Sequence, residues 1–170
     1  MKATTFGVKV WRWMSMVFLV GSLLWTYSVF PEMVAVDFAN DGEAQLYVDK
    51  AHIFYIIVAI FVLNNVVISR LAKQIPSIDP HYLPIARRKE WAQHRPQLNE
   101  HVINWLYCLV ASINTITGFS LMGIATVNSE QYNLNVFDFS WIFYVGLGLM
   151  LLLFVLPIRM FWTPVPEEKI

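Results

Sequence analysis

The chain has 170 residues, of which 57% are hydrophobic and only 14% charged, with a formal net charge of zero. Soluble domains are about 45–50% apolar and roughly 25% charged, so this chain has too few polar residues to cover its surface in water. The composition excludes an ordinary water-soluble domain and predicts one small integral membrane protein. The single cysteine, Cys108, excludes an internal disulfide, and its place in an apolar run is typical of a buried residue.

Four apolar segments are long enough to cross a bilayer, and each predicts one transmembrane helix. They cover residues 13–30, 51–68, 102–127 and 139–161. The first follows Lys2, Lys9 and Arg12 as a signal peptide would, but it lacks a small-residue cleavage site, so we expect a retained helix. Pro31 ends this helix, and Pro157 kinks or ends the fourth. The predicted fold class is all-α: a single membrane domain of four transmembrane helices arranged as two hairpins.

The basic residues collect in segments that would lie on one side of a membrane. They occupy the two ends of the chain and the loop of residues 70–101, with Lys50 as the exception. The loops of residues 31–50 and 128–138 hold most of the acidic residues instead. Because Lys and Arg are retained on the cytoplasmic side, we expect both termini and the basic loop to be cytoplasmic, and both acidic loops to be outside.

The two kinds of loop predict different contacts. The outer loop holds Asp37, Asp41 and Glu43 around a turn predicted at residues 40–42, and these acids are its candidate functional residues. The inner loop has an amphipathic basic stretch, which we expect to contact anionic lipid headgroups or a protein partner. Its candidate contact residues are Arg87, Arg88, Lys89 and Arg95. Membrane topology already accounts for these charges, so nucleic-acid binding is not predicted.

Tryptophan and tyrosine side chains are predicted to form belts at the two membrane interfaces. The inner belt comprises Trp11, Trp13, Trp91, Trp105 and Trp162. The outer belt comprises Trp25, Tyr27, Tyr47, Trp141 and Tyr144. Anchoring of this kind is a commoner use of such rings than an aromatic cage for a ligand.

Ionisable residues inside a bilayer are the usual sign of transport or proton transfer. Only Arg159 falls inside the predicted helices, and its long side chain can reach the inner interface. His52 and His101 are expected at opposite ends of the spans, too far apart to share a haem within one subunit. No compact metal-ligand spacing is found among the inner-side candidates His81, His94, His101, Glu90 and Glu100. The sequence predicts no catalytic residue, no cofactor and no metal site.

Small and uncharged polar residues recur at helical spacing on the third predicted helix. They are Asn104, Cys108, Ala111, Thr115, Gly118 and Met122. Such a stripe lets membrane helices approach closely and hydrogen-bond. Asn64 and Asn65 should lie at the depth of its first two polar residues, so amide bridges are predicted there, with Asn114 deeper on another face. Helix packing is the preferred interpretation, and a quinone or lipid pocket lined by the same groups is the alternative.

The junction after the first helix carries a run of residues with a recognisable spacing. It reads Phe30-Pro31-Glu32-Met33-Val34-Ala35-Val36-Asp37-Phe38, continues to Gly42 and Lys50, and is followed in the central loop by Tyr82, Pro84, Arg87 and Arg88. The pattern resembles a widespread bacterial membrane domain of unassigned function, whose members include the immunity protein against a sporulation-delaying toxin. Asp37 stands where that family usually has His or another polar residue. The resemblance implies a multi-pass bacterial inner-membrane protein with no enzyme activity.

These expectations favour a non-catalytic protein whose surroundings are the lipid bilayer and other membrane proteins. We expect an accessory or structural subunit that binds other subunits of a larger membrane complex through its helices. Two alternatives remain open. One is a toxin-immunity or envelope-signalling protein, which the resemblance suggests, and the other is a redox or quinone-handling subunit of a respiratory-type complex.

Overall fold

The computed structural model describes residues 3–82, 88–129 and 136–162, and most of them are helical. The α-helices are α1 (Ala3–Val29), α2 (Lys50–Val62), α3 (Ser69–Gln74), α4 (Arg88–Gln93), α5 (Arg95–Val127) and α6 (Trp141–Trp162). A π-helical segment, Leu63–Ile68, joins α2 to α3, and short 3-10 turns lie at Ile75–Ser77, Pro80–Tyr82 and Val136–Phe139. The strands are β1 (Met33–Phe38) and β2 (Ala44–Asp49).

Four helical spans are long and apolar enough to cross a membrane, at the four places that the sequence predicts. They are Ala3–Val29, Lys50–Ser77, Arg95–Val127 and Phe137–Val155. The first and third begin earlier than their apolar segments, at Ala3 rather than residue 13 and at Arg95 rather than residue 102. Pro96 in the first turn of α5 explains the second difference, because proline fits the start of a helix.

The all-α prediction is wrong for residues 31–50, where β1 and β2 form an antiparallel hairpin. The acidic residues made this segment resemble an irregular loop, although alternate β-branched residues run along it. The predicted turn is present, and Gly42 adopts a φ of 88°, a conformation that favours glycine. The Oδ1 atom of Asp41 accepts a hydrogen bond of 3.0 Å from the Glu43 N–H, which closes the turn.

The hairpin belongs to the hydrophobic core. The buried cluster consists of Leu19, Leu23, Phe30, Val34, Ile53, Leu121 and Ala125. Val34 of β1 is fully buried in it, so the hairpin closes one end of the spans instead of projecting away from them. Asp49 begins the second span by accepting a 2.7 Å hydrogen bond from the Ala51 N–H, as helix-capping aspartates do.

Contacts between side chains give the relative directions of the spans. Thr5 of α1 lies against Glu100 of α5, and Phe18 lies against Gly118, so α1 and α5 run in the same direction. The second span runs the opposite way, because Arg12 near the start of α1 bonds to Ser69 near its end. The fourth span also runs opposite to α5, with Trp141 at its start packed edge-on against Phe119 at a centroid distance of 5.3 Å.

Gly118 allows α1 to lie close to α5. A Cβ atom at this position would lie 2.5 Å from Cε1 of Phe18, well inside van der Waals contact. Close approach through a small residue is the usual way in which membrane helices gain packing energy. The predicted packing role of Gly118 therefore corresponds to a specific contact in the structure.

Candidate functional site

Three asparagine side chains meet about midway along the spans, and we call them the amide cluster: Asn64, Asn65 and Asn114. Asn65 and Asn114 form a reciprocal pair, in which each Nδ2 donates to the other's Oδ1, at 3.0 and 2.9 Å. Asn64 Nδ2 donates to Asn114 Oδ1 at 2.8 Å and to the Val110 carbonyl at 2.9 Å. All three residues are at most 8% exposed, so these bonds form away from both water and lipid.

The π-helical segment explains how two consecutive residues face the same neighbour. Its hydrogen bonds run from residue i to i+5, so each turn holds more residues than the 3.6 of an α-helix, and adjacent side chains diverge by a smaller angle. Asn64 and Asn65 are 2% and 8% exposed, whereas Leu63 just before them is 60% exposed. The widened turn therefore directs both amides inward to α5.

A second polar group continues from the amide cluster toward the start of α1. Ser15 lies 3.4 Å from Asn114 Nδ2, and its Oγ donates to the Arg12 carbonyl at 2.9 Å. Arg12 Nη2 donates to the Ser69 hydroxyl at 2.8 Å, and the guanidinium carbon lies 4.4 Å from the centre of the Tyr107 ring. A cation over an aromatic face is favourable, more so where water is scarce.

The last group lies where α1 and α5 begin. The Thr5 hydroxyl donates to the Glu100 carboxylate and accepts a 3.0 Å bond from Asn104 Nδ2. Together these two hydrogen-bonded groups mark a path along the first three spans. We call this path the polar seam: Thr5, Arg12, Ser15, Asn64, Asn65, Ser69, Glu100, Asn104, Tyr107 and Asn114. Beyond the amide cluster, toward the hairpin, the same spans meet through the apolar core.

The predicted amide bridges exist, but their predicted partners are wrong. Asn64 and Asn65 bond to Asn114, while Asn104 bonds to Thr5 of α1. Asn104 and Asn114 do lie on different faces of α5. The second span and Ser15 of α1 both meet α5 at Asn114, whereas Thr5 of α1 meets it at Asn104. The spacing of residues on one helix could not reveal these partners.

The remaining stripe residues serve α5 itself or its contact with α1. Cys108 is buried, at 3% exposure. The Thr115 hydroxyl donates to the Ala111 carbonyl at 2.8 Å, four residues earlier, so it bonds within its own helix. Gly118 lies in close contact with Phe18 of α1.

One tryptophan compensates for a proline in the fourth span. Pro157 lies inside α6 and has no N–H to donate to the Leu153 carbonyl four residues earlier. Trp105 Nε1 of α5 donates to that carbonyl at 2.9 Å. A freed backbone group in a membrane helix needs such a partner, so Trp105 is a helix-packing residue as well as a predicted member of the inner belt.

Trp91 also departs from the predicted inner belt. It is 2% exposed, and its ring packs edge-on against His101 with centroids 5.9 Å apart. The ring is therefore buried between α4 and the start of α5. By contrast, Trp13 is 64% exposed.

The predicted headgroup contacts fall in different environments. Arg87 lies outside the described residues, as does the side chain of Arg88, and Lys89 is exposed. Arg95 donates to the carbonyls of Pro76 and Ile78, both at 2.6 Å, and so joins the start of α5 to the end of the second span. Nearby, hydrogen bonds from the backbone N–H and the ring of His81 lower the pKa of Asp79.

At the other end, Asn128 anchors the hairpin to α5. Its Oδ1 accepts a 2.7 Å bond from the Ala35 N–H, and its Nδ2 donates to the Ala35 carbonyl at 2.9 Å. A single side chain thus satisfies both backbone groups of a β1 residue, as a neighbouring strand would. Sequence reasoning placed Asn128 only at the start of a loop, although asparagine just after a helix is a common end signal.

The predicted outer acids are exposed and stabilise their own loop. Asp37 accepts a bond from the Phe38 N–H, and Asp41 accepts one from Glu43. Glu32, which was not singled out, forms a 2.8 Å ion pair with Lys50 across the base of the hairpin. The acids therefore surround the hairpin without converging on one point.

Among the described residues, no three His, Cys, Asp or Glu side chains come close enough to hold a metal ion. The candidate site is therefore the polar seam, whose side chains hydrogen-bond between three spans. Its chemical groups are hydrogen-bonding amides and hydroxyls, the partly buried guanidinium of Arg12 and the carboxylate of Glu100. Comparison of the chain with family models, with curated proteins and with solved structures finds no match.

Proposed function

We propose that this chain is an inner-membrane protein of bacteria, threaded as two helical hairpins with both termini and the basic loop in the cytoplasm. The distribution of Lys and Arg supports this orientation. The hairpin of strands would then cover the outer ends of the spans, and Arg95 would tie the inner ends together.

Cysteine labelling tests the orientation. A cysteine replacing Arg88 should be labelled by a membrane-impermeant thiol reagent only after the cells are opened. A matched cysteine replacing Asp41 at the hairpin turn should be labelled in intact cells. The buried Cys108 should remain unlabelled in both cases and serves as an internal blank. Labelling at position 88 in sealed cells would overturn the proposed threading.

Within this membrane, we propose a non-catalytic accessory subunit that binds a larger membrane protein assembly. The observation that carries this proposal is the fourth span, because none of the residues in its apolar window is buried within the chain. Phe143 and Tyr144 are 71% and 69% exposed, and large exposed apolar side chains mark surfaces that contact a protein or a membrane. These exposed rings offer large apolar surfaces to a helix of a neighbouring protein.

Photocrosslinking in living cells tests that contact. A benzophenone amino acid replacing Phe143 should give one discrete protein adduct. The matched control is Tyr55, an aromatic residue of similar exposure, at 69%, on the second span; the same replacement there should give lipid adducts only. Lipid adducts at both positions, together with a monomer in native electrophoresis after gentle extraction, would contradict the proposal.

A second candidate is a toxin-immunity or signalling protein that responds to a partner at the outer hairpin. The Asn128 bonds to Ala35 favour it, because they connect the hairpin rigidly to α5. Exchanging Asp37, Asp41 and Glu43 for amides should then abolish the response while leaving protein levels unchanged. The redox alternative has no such support, since the side-chain Nδ2 atoms of Asn64 and Asn104 already donate to protein groups.

A further inference from the structure

One acceptor inside the amide cluster has no hydrogen-bond partner. Asn64 is 2% exposed, and its Oδ1 receives no bond from any residue that the structure describes. Its Nδ2 is fixed by the Val110 carbonyl and by Asn114 Oδ1. Rotating the amide would place an oxygen against those two oxygens, so the unpaired acceptor follows from the arrangement of the cluster itself.

A second unpaired group lies on the same path. Arg12 Nε is buried and also lacks a partner within the described ranges, although its Nη2 atom bonds to Ser69. Ser15 links the two positions, since its hydroxyl bonds to the Arg12 carbonyl and lies beside Asn114. The unpaired donor and the unpaired acceptor are therefore at two points of one seam.

Unpaired polar groups of this kind are costly inside a bilayer, because neither lipid tails nor apolar side chains can hydrogen-bond to them. Buried water resolves the cost where a site offers two to four polar partners. The Asn64 oxygen, the Ser15 hydroxyl and the Arg12 Nε–H are such partners. Toward the hairpin the described spans meet through the apolar core with Leu19 and Leu23, where the buried Ser22 hydroxyl is a single further unpaired group and offers a water fewer than two partners.

We propose that the polar seam binds a file of ordered water molecules, which enters beside Arg12 and ends at Asn64. The ligand class is water, held by amide, hydroxyl and guanidinium groups. Half of the interhelical space is then hydrated and the other half dry. This inference does not depend on the proposed accessory role, because it concerns the interior of the chain and no partner is needed.

Hydrogen–deuterium exchange of a single thiol, followed by infrared spectroscopy in lipid nanodiscs, tests the proposal with a probe the size of water. The background is Cys108→Ala, and the two variants are Ala111→Cys and Ala125→Cys. Both alanines are on α5 and are at most 2% exposed. Ala111 lies one turn from Tyr107 and Asn114 in the seam, whereas Ala125 belongs to the apolar core.

After transfer to D₂O, we expect the thiol at position 111 to exchange at least about tenfold faster than the thiol at position 125, which must wait for local opening. Adding Asn64→Leu should remove most of that difference. Equal exchange rates at the two positions would overturn the proposal, and this comparison decides even if Asn64→Leu disturbs folding. A seam thiol that exchanges equally fast with and without Asn64 would place the water elsewhere and also contradict it.

Discussion

The two halves of the interhelical space are held together by different interactions: hydrogen bonds in one half and apolar packing in the other. From the start of α1 to the middle of the spans, α1, α5 and the second span meet through the polar seam and its hydrogen bonds. From the middle to the hairpin, the same three spans meet mainly through aliphatic side chains, with the buried Ser22 and Thr26 hydroxyls of α1 among them. Apolar packing fits many registers, whereas an amide has few possible partners, so we infer that the polar half specifies which helix faces meet.

The largest effect is expected from Asn114→Leu. It leaves the amides of Asn64 and Asn65 without their shared partner, in surroundings where an unpaired polar group is costly. Loss of about 2–4 kcal/mol of unfolding free energy is expected, above the roughly 0.6 kcal/mol average for one membrane hydrogen bond. Reversible unfolding in mixed micelles would measure it. Asn104→Leu, at the start of the seam, is the control and should lower the unfolding free energy by less than half as much. Equal losses at the two positions would show that the amide cluster contributes no more to stability than the rest of the seam.

Gly118→Ala tests the point where the two halves join. The new Cβ would meet the Phe18 ring, so we expect a loss of about 1–3 kcal/mol from overpacking. Adding Phe18→Leu should recover part of that loss, because it removes the clashing ring. Gly148→Ala, where a Cβ would meet nothing within 4 Å, should not lower the unfolding free energy, because alanine is the better helix former. An equal loss at both glycines would show that the Phe18 contact does not explain the result.

Asn128→Ala tests how the apolar half holds the hairpin. The variant should lose roughly 1–2 kcal/mol, since Ala35 loses two side-chain hydrogen bonds near a buried strand. The effect should be local: amide exchange should accelerate in β1 while the amide cluster keeps its protection. Asn128→Asp can still accept from the Ala35 N–H but cannot donate, so it should show an intermediate rate. Uniform acceleration along all the spans would contradict this local role.

The smallest effect concerns Asp79, which lies outside both halves. Because its pKa is lowered in the folded chain, its contribution to stability is present above the ordinary value of 3.8 and is lost as the pH falls through the lowered pKa. The excess of unfolding free energy of the wild type over Asp79→Asn should therefore be present at neutral pH and shrink as the pH falls below 3.8. Thermal unfolding at several pH values would check this, and a difference that stays constant into strongly acidic solution would contradict it.

The sequence was sufficient to predict the four spans, since four apolar stretches of membrane length can be read directly from it. It was also sufficient for the type of contact between them, because an Asn64-Asn65 pair in an apolar helix needs amide or carbonyl partners. It could not identify Asn114 as that partner. The choice depends on which face of α5 the second span covers, and this is a property of three helices together.

The hairpin was missed for a related reason. Its acids dominated the pattern, while Val34 and the Asn128 anchor, which hold it to the core, are separated by more than ninety residues. The π-helical segment had no sequence signal that we could recognise. This segment directs two consecutive amides toward one partner, and the sequence of the second span alone does not show that this partner is Asn114.

The most direct test of the polar half is a double-mutant cycle on Asn65 and Asn114, the reciprocal amide pair. The variants Asn65→Leu, Asn114→Leu and their combination should give a coupling energy of about 1–2 kcal/mol in mixed micelles, consistent with two hydrogen bonds between membrane helices. Strictly additive losses would show that the two amides do not act together, and the division of the interior into a specifying polar half and an adaptable apolar half would then be wrong.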